Sequence, residues 1–147
     1  MVDRFGVAIT GGGLTVLVVG TFLPWLRSGS GLHDSYQSVD VLRELIMSGD
    51  APVISALGYW QAIIPAITVS VALYALRLRR TAACAICVIS IGVGAAAGYL
   101  ALQGHNTDLF IGLAPIGPTV TFVGAVLALV GAVALLISLR EPAPARG

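Results

Sequence analysis

Residues Pro118–Leu139 read PTVTFVGAVLALVGAVALLISL, with no charged side chain anywhere in the run. At about 1.5 Å of rise per residue, a helix of this length covers the hydrocarbon core of a bilayer. Three further apolar stretches of similar size precede it: Phe5–Leu26, Leu57–Leu78 and Thr81–Gln103. Together they predict an all-α, four-helix transmembrane bundle formed by a single membrane domain of 147 residues. The composition agrees, at 57% hydrophobic and only 10% charged, against about 25% charged in ordinary soluble proteins. A water-soluble fold so apolar could not cover its own surface, and a bilayer removes that difficulty.

The parts outside the spans follow by subtraction. Residues 27–56 and 104–117 form two loops on one side, and 140–147 form a short tail carrying Pro142 and Pro144 on the other. Arg4, Arg77, Arg79, Arg80, Arg140 and Arg146 fall on the tail side, while only Arg27 and Arg43 fall on the loop side. Arginine excess marks cytoplasmic segments, so both termini are expected inside and both long loops outside, in the plasma membrane. Trp25, Tyr59 and Trp60 stand at the outer edges of their spans, where amphipathic rings anchor at the headgroup level. The apolar length of the first span exceeds the core of a cleavable signal peptide, so it reads as a retained helix.

The first loop carries most of the polar chemistry. Wound at helical pitch, Val39, Val41, Leu42, Leu45 and Ile46 share one arc, with Asp40, Arg43 and Glu44 opposite. Ser38 can cap the start and Gly49 the end, which predicts a short amphipathic helix in this loop. Pro65 removes a backbone donor and predicts a kink near the outer end of the second span.

The formal net charge of +1 supplies no basic footprint for nucleic acid. No ionisable side chain lies in the interior of any span, which argues against autonomous ion or proton transport. The hydroxyls inside the spans (Thr15, Thr21, Thr68, Ser70, Ser90 and Thr121) are the kind that bond to their own helix or a neighbour. His33, Asp34, His105 and Asp108 lack the spacing of a metal site, and no metal or other cofactor is expected. No serine has a nucleophile-elbow setting. Cys84 and Cys87, three apart on one helix face, admit three readings: packing as small apolar residues, acylation near the inner headgroups, or redox chemistry.

Small residues at Gly94 and Gly98, and at Gly124 and Ala128, let helix backbones approach, within one bundle or between copies. The run Gly11–Gly13 weakens its helix unless a neighbour presses close there or the span bends.

The pieces Phe22-Leu-Pro-Trp25, Ser28-Gly29 and Ser35-Tyr36, then Trp60 and Pro65, resemble a group of small four-helix membrane proteins of actinobacteria. That resemblance covers about half the chain and implies an envelope protein with both termini inside, without implying an activity. The claudin type is similar in architecture only, because its paired loop cysteines are missing here.

The reading that follows is a non-catalytic integral membrane protein, an accessory or scaffold subunit in the lipid bilayer. Its first outside loop would dock a membrane or envelope partner, or a lipid, through Arg27, His33, Asp34, Tyr36, Arg43 and Glu44. The alternatives are a small transporter or channel component completed by homo-oligomerisation, and a membrane thiol oxidoreductase using Cys84 and Cys87.

Overall fold

The computed structural model describes residues 2–28, 31–36, 60–103, 111–114 and 116–140. Four helices are present among them: α1 Val2–Phe22, α2 Ile63–Ala75, α3 Arg79–Gln103 and α4 Ile116–Ser138. They form a four-helix bundle in which α4 is central, packing on α1 and on α3, while α2 packs on α3. The expected amphipathic helix at residues 39–49 lies outside the described residues.

Three of the helices (α1, α3 and α4) are long and apolar enough to cross a membrane. Their outward faces are apolar too, with Val88 71% and Leu102 76% exposed. Apolar area on this scale is what a lipid-facing surface presents, and soluble monomers rarely show it contiguously. The second helix is different. Among the described residues of the expected 57–78 span it occupies 13, about 20 Å of rise, with Trp60 and Gln61 also helical ahead of it.

Pro65 lies just after a break in the helix. Trp60 and Gln61 are helical, Ala62 is a turn residue, and α2 runs on from Ile63, with Ala66 N bonded to Ala62 O at 2.9 Å. Proline has no N–H to donate to the carbonyl four residues back, Gln61 O, so the helix is interrupted where the sequence predicts a bend. α1 likewise ends at Phe22 rather than Leu26, since Pro24 biases the residue before it away from helical backbone.

Glycines set the tightest contact. On α1, Gly6, Gly13 and Gly20 recur every seventh residue, and on antiparallel α4 so do Gly117, Gly124 and Gly131. A Cβ added to Gly13 would come within 2.8 Å of Ala128 Cα, and one on Gly20 within 2.8 Å of Thr121 Cα. From the other side, a Cβ on Gly124 would lie 2.6 Å from Leu17 Cα and 2.9 Å from Gly13 O. The two backbones are in contact, and no side chain fits between them. Gly11 and Gly12 face open space. Of the three adjacent glycines only Gly13 is required by packing.

The second seam, α3 against α4, is looser. Gly94 faces the Ala125 methyl at 3.2 Å and Gly98 the Phe122 ring at 3.0 Å, measured from an added Cβ. The core between the seams holds Leu14, Leu17, Ile63, Ile67, Ile86 and Val93. Thr10, Thr15, Thr68 and Ser70 each donate to the carbonyl four residues back, and Thr21 to the one three back. Ser90 and Thr121 are buried with no hydrogen-bond partner for their hydroxyls, so packing, not hydrogen bonding, places them.

α2 and α3 are joined by a very short turn. Arg77 has φ 64°, Leu78 N bonds Leu73 O at 3.0 Å, and Arg77 N bonds Tyr74 O at 3.0 Å. This is a Schellman closure with arginine in the left-handed position usually given to glycine. Arg77→Gly should therefore stabilise the protein by about 0.5–1 kcal/mol, read as a rise in melting temperature in detergent. An unchanged or lower value would mean that the arginine side chain contributes more than its backbone costs.

Candidate functional site

The end of the bundle where α1 finishes and α4 begins is closed by a structure that the helical reading did not anticipate. β1 Leu26–Ser28, β2 Gly31–His33 and β3 Ile111–Leu113 form a three-stranded antiparallel sheet in the order β2-β1-β3. Arg27 pairs with Leu32 on one side and Gly112 on the other. The sheet thus ties the first loop to the second. Ser28 pairs with Gly31, leaving Gly29-Ser30 between the strands in sequence. A Gly-Ser pair between two short apolar-alternating runs is a hairpin signal, and it was available in the sequence.

Below the sheet, the last carbonyls of α1 need donor partners, because a helix end leaves them without the usual helical N–H. Two side chains supply donors. Trp25 Nε1 donates to Gly20 O at 2.9 Å, and Ser35 Oγ donates to Thr21 O at 2.6 Å. Both groups are buried, Trp25 with 4% of its surface exposed. This corrects the reading of Trp25 as a headgroup anchor: its ring is inside the protein, held by a hydrogen bond that only the interior provides.

Trp25 also sets where α4 begins. Ala114 N donates to Trp25 O at 2.9 Å, and Gly117 N to Pro24 O at 3.2 Å. A Cβ on Gly117 would collide with the indole and lie 2.7 Å from Pro24 O, so glycine is needed for this close approach. Trp60, half-buried at the start of the α2 region, meets Trp25 edge to face with centroids 5.0 Å apart and planes at 71°. Its indole nitrogen is buried without a hydrogen-bond partner. One tryptophan therefore gathers α1, α4 and the approach to α2.

Asp34 Oδ1 accepts from Tyr36 N at 3.0 Å, the N-cap bond of a helical turn that begins at Ser35 and Tyr36, and Ser35 is thereby set against the α1 terminus. The Tyr36 ring lies on Phe22, with centroids 5.7 Å apart. Its phenol oxygen is buried without a partner of bonding geometry. Burial raises the Tyr36 phenol above the ordinary tyrosine value; the adjacent Thr21 opposes this and the Asp34 charge adds to it. Tyr36 is thus a neutral phenol at physiological pH.

Of the six residues expected to contact a partner, the structure brings Arg27, His33, Asp34 and Tyr36 into this cap. Arg43 and Glu44 lie outside the described residues, as do Tyr59, His105 and Asp108. Cys84 and Cys87 are remote on α3; Cys84 is exposed and Cys87 packs beside the core. Gly117 was not singled out from sequence, and Ser35 appeared there only beside Tyr36 in the resemblance. Both belong to helix-terminus contacts between residues far apart in the chain, which periodicity does not reveal.

The two tryptophans should separate in their response to losing the indole N–H. Trp25→Phe should destabilise the protein by about 1–3 kcal/mol, because Gly20 O loses a buried donor and the ring shrinks. Trp60→Phe should cost less, since no bond is lost. Thermal unfolding of both variants in detergent checks the order, and equal losses would contradict the role given to the Trp25 bond.

No family model matches this chain, and no curated protein or solved structure matches it either, so the residues above carry the functional reading alone.

Proposed function

We propose that this protein is a non-catalytic, multi-pass plasma-membrane protein, an accessory or scaffold subunit that docks a partner through its capped end. Orientation follows from the arginines: Arg77, Arg79, Arg80 and Arg140 lie at the opposite end from the sheet, and the positive-inside rule places them in the cytoplasm. Both termini are then cytoplasmic and the sheet faces outward. The observation that carries the docking reading is the sheet β2-β1-β3. It unites two loops about eighty residues apart in sequence and is fixed to the bundle through Trp25 and Ser35.

A platform tied to the bundle in this way suits binding, because a preorganised surface loses less freedom on association. Arg27, His33, Asp34 and Tyr36, the polar and aromatic residues of this cap, are the contact candidates. The partner is an envelope or membrane protein, a lipid, or a second copy of the chain. The spans offer no ionisable group at membrane depth with which to carry an ion.

The test is chemical cross-linking in native membranes followed by purification, comparing the natural chain with a variant carrying Arg27→Ala, His33→Ala and Asp34→Asn, the last keeping the oxygen that accepts from Tyr36 N. The variant should insert and accumulate normally while its cross-linked complex falls several-fold. An undiminished complex would refute docking through this end.

A further inference from the structure

At the arginine end, an apolar cavity of about 180 Å³ opens between α1 and α2. Its walls include Val7, Gly11, Val71, Tyr74, Ile86 and Leu135, so all four helices contribute. α1 and α2 are not among the extensively packed helix pairs. Val71 on the seam is 55% exposed, and a Cβ on Gly11 would meet nothing within 4 Å. The cavity is therefore open sideways, toward the bilayer.

Its chemistry favours an apolar occupant. Of its three hydroxyl-bearing residues, Thr10 and Ser70 are already bonded to Gly6 O at 2.7 Å and Ala66 O at 2.8 Å, which leaves the Tyr74 phenol as its further polar group. A water needs two to four polar partners to be held, and an acyl chain needs none.

The rim is the reverse. Tyr74 lines the cavity, and the Arg79 guanidinium stands 5.8 Å over its ring. Leu135 lines it from α4, and one turn on, Arg80 Nη2 donates to Leu139 O at 3.0 Å. Both arginines are thereby positioned at the helix ends that border the opening, and Arg77 and Arg140 are exposed on the same end. A guanidinium fork matches phosphate oxygens, and basic pockets between transmembrane helices are suited to acidic lipid headgroups.

We propose that this seam is a binding site for one anionic phospholipid, an acyl chain entering between α1 and α2 and the phosphate lying against Arg79 and Arg80. The site is independent of the docking end and survives if that reading fails.

Delipidated protein in detergent should be titrated with phosphatidylglycerol and, separately, with phosphatidylcholine of the same chain length. Native mass spectrometry counts bound lipid, and thermal unfolding reports stabilisation. The glycerol lipid should bind once and raise the melting temperature, the choline lipid should bind at least about tenfold more weakly, and inorganic phosphate alone should not stabilise. Replacing both arginines (Arg79→Gln with Arg80→Gln) should weaken phosphatidylglycerol binding about tenfold or more. Gly11→Leu, which fills the cavity, should weaken it with every arginine retained. Gly12→Leu, adjacent on the helix and outside the cavity lining, should not.

Equal binding of the two lipids would overturn the proposal, as would indifference to the arginine changes. Loss with the arginine changes but not with Gly11→Leu would also overturn it, reducing the site to diffuse surface charge. Stabilisation by inorganic phosphate alone would assign the rim to a free anion instead.

Discussion

The contact between α1 and α4 is made at backbone distance, and much else in the molecule depends on it. In a bilayer, apolar side chains gain nothing by leaving lipid for each other, so helices associate through dispersion and close fit. Glycines at Gly13 and Gly20 on one helix, and Gly124 and Gly131 on the other, remove the side chains that would hold the backbones apart. Seven-residue spacing keeps these positions on one face over three turns of contact. The first and last helices of the chain are thereby joined along their length. α3 then packs on the remaining face of α4 through Gly94 and Gly98, and α2 follows α3.

That pairing also creates the conditions at both ends. Where α1 stops and α4 starts, their loops emerge side by side, close enough for β1 to pair with β3 as well as with β2. Trp25 fills the space under this sheet and satisfies the α1 carbonyl of Gly20, so a helix terminus becomes a fastening point. At the other end α2 lies only loosely against α1. A seam is left open there beside arginines that close the ends of α2 and α4. A tight α1–α4 pair and a loose α1–α2 pair are two results of the same geometry.

Much of this was legible in the sequence. Uncharged runs of some twenty residues place α1, α3 and α4, because the demand for length and apolarity is set by the bilayer and not by neighbouring residues. The ends were less legible: Pro24 stops α1 early, at Phe22 rather than Leu26. The sheet was missed because its strands have three residues each, too few for alternation to register, although Gly29-Ser30 was a usable hint. Trp25 was read as a boundary aromatic because composition cannot distinguish a ring facing headgroups from one turned inward to Gly20 O. A spacing of four, as at Gly94 and Gly98, is legible within one helix, whereas the spacing of seven becomes legible only when α1 and α4 are compared at once.

The claim most open to direct test is that Gly13 and Gly20 are contact positions and that Gly11 and Gly12 are not. Residues of α1 from Phe5 to Phe22 would be replaced singly by leucine, where leucine is not already present, and the melting temperature of each purified variant measured in detergent. The account predicts severe losses at Gly13 and Gly20, seven residues apart, with Gly11 and Gly12 neutral or stabilised by improved helix propensity. A flat profile, or the largest losses at Gly11 and Gly12, would contradict the backbone seam between α1 and α4.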